Sequence, residues 1–183
     1  MFQKVFSIML FILLLPLLFF IAFIIVFFDG WPIFYRQKRV GKGNKIFNMY
    51  KYRTMLNGVG DIPKSNVVDP ESMLTISGKI IRKYSIDELP QLINVISGDM
   101  NLIGYRPCLP NEHDVIKHRS KYQLEKYKPG ITGWAQINGR DKLNVMDKAF
   151  LDAYYYSNHS LFLDIKILFI TAYVVLFGKN ISH

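Results

Sequence analysis

The chain has 183 residues, 50% of them hydrophobic, with 23 Lys and Arg against 14 Asp and Glu, giving a formal charge of +9. That length suits one folded core better than two, and the charge points to anionic partners without choosing among nucleic acid, anionic lipid and phosphorylated substrates. A single cysteine, Cys108, excludes an internal disulfide and a thiolate metal cluster, so the soluble part fits a reducing compartment.

Val5 to Phe28 carries no charge and is dense in Phe, Leu and Ile, and a run of about 20 such residues suffices to cross a bilayer as a helix. A cleaved signal peptide would have a shorter apolar run and a small-residue cleavage site, which "FFDGWPIFY" lacks. Pro16, inside "LLLPLLFF", removes one backbone donor and predicts a kink. Two readings stay open on these residues: a kinked spanning helix, or two arms that enter and leave by one face. Every charged residue from Trp31 to Gly60 is Lys or Arg, which keeps that flank cytoplasmic.

Ile33 to Val40 and Lys45 to Met55 are rich in β-branched and aromatic residues and flank "GKGN", predicting a basic β-hairpin. Alternation puts Lys51 and Arg53 on one face, either as a phosphate clamp or, favoured on the hairpin alone, as a solvated edge. Asn57 to Ser72 reads as a loop, and Met73 to about Tyr84 contains a short helix. Leu89, Leu92, Ile93 and Ile96 trace one helical face, closed by Gly98. A proline-punctuated loop spans Gly104 to Glu112, followed by a basic helix from about Asn111 to Lys126. "KPGITGWAQINGR" (Lys128 to Arg140) is too broken for a helix and predicts a structured loop or short strand. Asn144 to Tyr156 is helical, and Ser160 caps a further helix through Phe177. Asp164 and Lys166 inside that last helix would be costly at the bilayer centre, so it is expected in the core or at an interface.

Asp87 and Glu88, in "YSIDELPQLINVISGDM", stand at a helix start. Ser85 with Glu88 forms a capping-box pattern, but Pro90 then falls beyond the first turn; with Asp87 as cap, Pro90 fits and the box does not. Either the helix starts irregularly or the acids are not devoted to capping. A carboxylate at a helix N-terminus is favoured in its ionised form and serves as a nucleophile or metal ligand. Arg82 and Lys83 before the pair and Arg106 after the helix supply cations for phosphate, which is phosphoryl-transfer logic.

The stretch "RKYSIDELPQLINVISGDMNLIGYRP", together with "KYRTM", "KPGITGWAQINGR" and "LDAYYYSNHSLFLDIKIL", resembles the bacterial sugar transferase family, the monotopic phosphoglycosyltransferases. The resemblance covers nearly everything after Asp29. It implies transfer of a sugar 1-phosphate from a UDP-sugar to undecaprenyl phosphate, with Mg²⁺, at the cytoplasmic face of the bacterial inner membrane. By size the chain is similar to minimal members, for which UDP-N,N'-diacetylbacillosamine or another UDP-N-acetylhexosamine derivative is expected.

Carried over, Asp87 attacks the sugar-bearing phosphate, expels UMP and touches Mg²⁺, while Glu88 accepts a proton or positions. Arg106 holds phosphate, with Arg82, Lys51 and Arg53 as helpers. By side-chain chemistry alone, since aromatic faces and amides suit base edges, Trp134, Gln136 and Arg140 are candidates for uracil or sugar. In many members the residue before that Arg is proline; here it is Tyr105. The family also implies that the apolar segment is re-entrant, often with a Ser-Pro break where this chain has Leu15-Pro16.

The expected architecture is therefore α+β and mainly helical. Residues 1–30 form a proline-broken re-entrant membrane helix, and residues 31–183 form a cytoplasmic catalytic domain with a small basic β-hairpin and amphipathic interfacial C-terminal helices. Expected partners are the UDP-sugar, undecaprenyl phosphate, membrane phospholipid and downstream glycosyltransferases, with no nucleic acid. The rival, a membrane-tethered anion- or nucleic-acid-binding module, needs no paired acids at a helix start. His113, His118, His159 and His183 lack zinc spacing, and Lys117, Arg119 and Lys121 read as a solvated run or a lipid headgroup contact. Trp134 is expected to pack inside, and Tyr154 to Tyr156 to line a membrane interface or the core.

Overall fold

The computed structural model describes residues 2–58, 72–139 and 142–177. Most of the predicted loop at Asn57 to Ser72, together with Arg140 and His183, lies outside the described residues. Helix α1 (Phe2–Asp29) is helical on both sides of Pro16 with no intervening non-helical residue. The proline is accommodated within the helix, where its missing N–H leaves the Ile12 carbonyl without its usual partner.

One stripe of α1 faces the rest of the chain. Ser7, Leu18, Ile21 and Ile25 are buried, with Phe11 and Leu14 packed against the same cores. The opposite face is bare: Leu13, Phe19 and Phe27 are 75%, 72% and 72% exposed. An apolar surface of this kind marks a membrane contact, and α1 is, among the described residues, the one helix long and apolar enough to cross a bilayer.

The hairpin follows as expected: β1 (Phe34–Val40) pairs antiparallel with β2 (Ile46–Tyr52). Its connection is a 3₁₀ turn, Lys42–Asn44, in which Gly43 has φ 65°, a left-handed conformation that glycine adopts without a Cβ penalty. Helix α2 (Ile76–Lys83) is capped by Thr75, whose hydroxyl accepts from the Gly78 amide at 3.0 Å. A 3₁₀ turn, Ile86–Glu88, leads into α3 (Gln91–Ser97), which ends at Gly98 with φ 95°. Strand β3 (Asn101–Ile103) pairs in parallel with β4 (Gly130–Thr132), and α4 (His113–Lys121) lies between them in sequence.

"KPGITGWAQINGR" thus supplies a strand and, against expectation, also a short helix, α5 (Trp134–Ile137). Helix α6 (Val145–Ser157) starts at Asn144, whose side chain accepts from the Asp147 amide, and α7 (Leu161–Phe177) starts at Ser160, whose hydroxyl accepts from Leu163 N at 3.2 Å.

The main core gathers Met49, Leu92, Val95, Met100, Ile103, Tyr155 and Ile167 from both sheets and three later helices, with Leu10, Phe11 and Leu14 of α1 and Trp134 and Ile137 of α5 at its edge. The second core joins α1 to Tyr52, Ile81, Ile86 and Leu89. The charges expected to keep α7 out of the bilayer are both engaged: Asp164 accepts from the Tyr155 hydroxyl at 2.7 Å, and the Lys166 ammonium lies 5.4 Å from the centre of the Trp134 ring. Phe162 and Phe169 remain exposed on α7, which suits an interfacial helix. The tyrosine run divides between both expectations, Tyr154 half-exposed and Tyr155 buried.

Candidate functional site

The capping box is not formed. Ser85 sits at φ 53° with no side-chain cap, and Pro90, not Ser85 or Asp87, is the N-cap of α3. The left-handed Ser85 reverses the chain after α2, so that Ile86–Glu88 makes a tight turn of its own. Within that turn Ile86 and Leu89 pack against the α1 core, and Asp87 and Glu88, between them, turn toward the hairpin. The sequence Ile-Asp-Glu-Leu therefore pins two acids at the edge of the lipid-facing helix.

Both acids are buried, Asp87 at 8% and Glu88 at 9% exposure, and cations surround them. Arg106 grips Glu88 with two nitrogens, Nη2 to Oε1 at 2.6 Å and Nη1 to Oε2 at 3.2 Å. Lys51 Nζ donates to the same Oε1 at 2.9 Å and stands 3.8 Å from Asp87 Oδ2. Glu88 is thus clamped, whereas Asp87 has an ion-pair contact longer than a hydrogen bond. Burial pushes the Asp87 pKa up. Lys51 opposes this, Glu88 adds to it, and Arg82 and Arg106 oppose it. Burial therefore outweighs the neighbouring cations, contrary to the expectation of a carboxylate favoured in its ionised form.

Lys51, Arg106 and, through its field, Arg82 are the expected cations that the fold brings to the acids. Arg53 is a correction. Strand β2 ends at Tyr52, so alternation no longer aims the next side chain, and Arg53 is buried against the end of α1. It donates to the carbonyls of Asp29 at 2.5 Å, Gly30 at 2.7 Å and Trp31 at 2.7 Å, and to Asn57 Oδ1 at 2.8 Å. A guanidinium suits this place because a helix C-terminus presents unpaired carbonyls and negative potential.

Gln136 lies against the Gly104 carbonyl at 3.5 Å, two residues before Arg106, and not at the acids; its Oε1 is buried without a hydrogen-bond partner among the described residues. Among the described residues no group of three or more His, Cys, Asp or Glu could hold a metal ion. Mg²⁺, however, usually binds through one or two carboxylates, substrate phosphates and water. Asp87, not clamped as Glu88 is, fits that requirement.

Arg119 is a second correction. It is neither solvated nor at a lipid headgroup. It is 8% exposed, pairs with buried Asp152 at 3.0 Å and stacks its guanidinium 4.6 Å over the Tyr105 ring. Tyr105 is a buried buttress whose hydroxyl donates to the Tyr127 carbonyl at 3.2 Å. The loop carrying Arg106 is further tied to β1, since Val40 N donates to the Cys108 carbonyl at 2.9 Å and Arg39 Nη1 to the Pro107 carbonyl at 3.0 Å. Arg39 went unnoticed in the sequence, although alternation in a hairpin puts it on the face of Lys51.

A family model described as bacterial sugar transferase matches residues 1–178. The chain is 45% identical over 154 residues to the uncharacterized sugar transferase EpsL of Bacillus subtilis, covering 84% of this chain and 75% of that one. It is 37% identical over 190 residues to the undecaprenyl-phosphate galactose phosphotransferase of Salmonella typhimurium, covering 96% of this chain and 40% of that one. It is 38% identical over 168 residues to the UDP-N-acetylgalactosamine-undecaprenyl-phosphate N-acetylgalactosaminephosphotransferase of Aeromonas hydrophila, covering 89% and 40%. The chain therefore spans three quarters of the first relative and two fifths of the other two. With the model matched over nearly its whole length and the acids set among cations beside an apolar helix, this chain belongs to the bacterial sugar transferase family.

Proposed function

We propose that the protein transfers a sugar 1-phosphate from a UDP-sugar to undecaprenyl phosphate, the first membrane step of glycoconjugate synthesis. The observation that carries this reading is Asp87. It is a buried carboxylate, less tightly held than its neighbour, on a turn pinned to the lipid-facing helix and faced by Lys51, with Arg106 on Glu88 beside it. The relatives' names support the acceptor. They include galactose and N-acetylgalactosamine donors, and an N-acetylhexosamine derivative such as N,N'-diacetylbacillosamine is the sugar proposed here.

An Asp87 oxygen forms a bond to the sugar-bearing phosphorus, and the bond from that phosphorus to the bridging oxygen breaks, so UMP leaves with the bridging oxygen. An oxygen of undecaprenyl phosphate then attacks the same phosphorus and displaces Asp87, and Glu88 takes the proton that the lipid phosphate carries. Lys51 and Arg106 donate to the diphosphate oxygens, a guanidinium giving two parallel bonds. Mg²⁺ held by Asp87 and the diphosphate would supply charge neutralisation at the leaving UMP.

We also propose that α1 enters and leaves the membrane by its cytoplasmic face, placing the protein on the inner membrane with residues 31–183 in the cytoplasm. Near its start, Gln3 Oε1 accepts from Leu102 N of β3 at 3.2 Å; at its end, Asp29 accepts from the amide and hydroxyl of Ser77 on α2. A helix that spans the bilayer cannot have both ends bonded to a domain on one side.

The test is UMP release from a panel of UDP-sugars by purified protein with undecaprenyl phosphate. Asp87→Asn should abolish release while leaving the melting temperature within a few degrees. With sugar-labelled donor and no lipid, label should remain on the protein and be released by hydroxylamine. Full turnover by the Asn variant would refute the nucleophile.

A further inference from the structure

The register of the hairpin sets Tyr35 opposite Lys51, Gln37 opposite Met49 and Arg39 opposite Phe47. Directly opposed residues share a face, so Gln37 and Arg39 lie on the Lys51 side of the sheet. There Gln37 Oε1 accepts from Arg39 Nε at 3.0 Å and from Nη2 at 2.5 Å. Two bonds to one acceptor fix the plane of the guanidinium, and Nη1 is left to reach the Pro107 carbonyl at 3.0 Å. The preceding residue is Arg106, whose own fork holds Glu88.

This placement has a cost. Burial depresses the Arg39 pKa, the charge of Arg106 depresses it further, and Glu112, Cys108 and Glu88 oppose the depression. Two guanidiniums are held close enough for the charge of one to act on the other. What that arrangement fixes is the loop that carries Arg106, whose Pro107 carbonyl Arg39 holds at 3.0 Å.

We propose that Arg39, oriented by Gln37, is a positioning residue for Arg106: by holding the Pro107 carbonyl it fixes the guanidinium that meets the diphosphate. The inference rests on the proposed function for the identity of the ligand. It predicts that the two arginines act as a unit, which a merely structural Arg39 would not do.

A double-mutant cycle reads this directly. Arg39→Gln should lower kcat/KM for the UDP-sugar about tenfold or more, mainly through KM, the size expected for a lost bond that involves a charged group. In an Arg106→Gln background the same change should cost less than about twofold. Arg39→Lys, which keeps the charge but not the fork, should not rescue. Gln37→Leu alters no charge and should reproduce the loss, which covers failure of an Arg39 variant to fold. Losses that multiply, or rescue by lysine, would overturn the inference. Should the wild type release no UMP, the functional reading falls instead; calorimetric titration with UDP then decides the positioning by the same cycle.

Discussion

Removing the Asp152 carboxylate should destabilise the protein strongly, and the pair it forms shows why. Asp152 and Arg119 are 3% and 8% exposed and 3.0 Å apart, and two further nitrogens of Arg119, Nε and Nη1, have no hydrogen-bond partner among the described residues. Asp152→Ala leaves a buried guanidinium with neither a charge partner nor an acceptor, whereas a protonated Asp152 keeps an oxygen to accept from Arg119; the Ala change costs about 3–5 kcal/mol, and at about 2–4 °C per kcal/mol for a chain of this size the melting temperature should fall by roughly 6–20 °C. Burial raises the Asp152 pKa to about 6, with Arg119 and then Lys148 opposing, against about 3.9 in the unfolded chain. A raised pKa means that the folded state holds the proton better. This contribution is therefore fully present below about pH 4 and lost as pH rises through about 6. Thermal unfolding in detergent between pH 7.5 and 5 should show wild type gaining stability relative to Asp152→Asn, which cannot titrate. A drop of under about 1 kcal/mol for Asp152→Ala, or parallel pH curves for wild type and Asp152→Asn, would refute the reasoning.

Gly133→Ala should prevent stable folding. A Cβ there would lie 2.0 Å from the Gly104 carbonyl oxygen, backbone that cannot step aside, so the loss should exceed about 3 kcal/mol by chemical denaturation. The topology of α1 is checked by Lys4→Cys, since Lys4 is exposed and the native Cys108 is buried. In intact cells the new thiol should react with a membrane-permeant maleimide and resist an impermeant one; labelling by the impermeant reagent would mean that α1 spans.

The elements were legible where one periodicity or one cap dominates. The hairpin, the Gly98 stop, Asn144 and Ser160 all lie where local chemistry places them. The stripe on α1 was invisible because every neighbouring residue is equally apolar, so only packing distinguishes Leu18 and Ile25 from Leu13 and Phe19. Asp87, Glu88 and Arg106 stood out by charge against a hydrophobic pattern. The division of labour between Lys51 and Arg53 did not, because it depends on where β2 ends. Arg119 was hidden in a charge run, and its partner Asp152 lies on a different helix.

Glu88 occupies both cations proposed to meet the diphosphate, and its two-pronged contact with Arg106 is the geometry a phosphate would adopt. In the proposed reaction, substrate binding would therefore exchange one anion for another at Arg106 and Lys51. The exchange would release Glu88 beside Asp87, where the proposed reaction calls for a proton acceptor once the lipid phosphate arrives. Glu88→Gln keeps the shape but removes the charge that competes for the cations. It should leave KM for the UDP-sugar unchanged or lower it, while kcat falls about a hundredfold, the size of a lost general base. Steady-state UMP release at saturating lipid separates the two effects. If KM rises in step with the loss in kcat, Glu88 serves to hold Lys51 and Arg106 in place, and the exchange of anions does not occur.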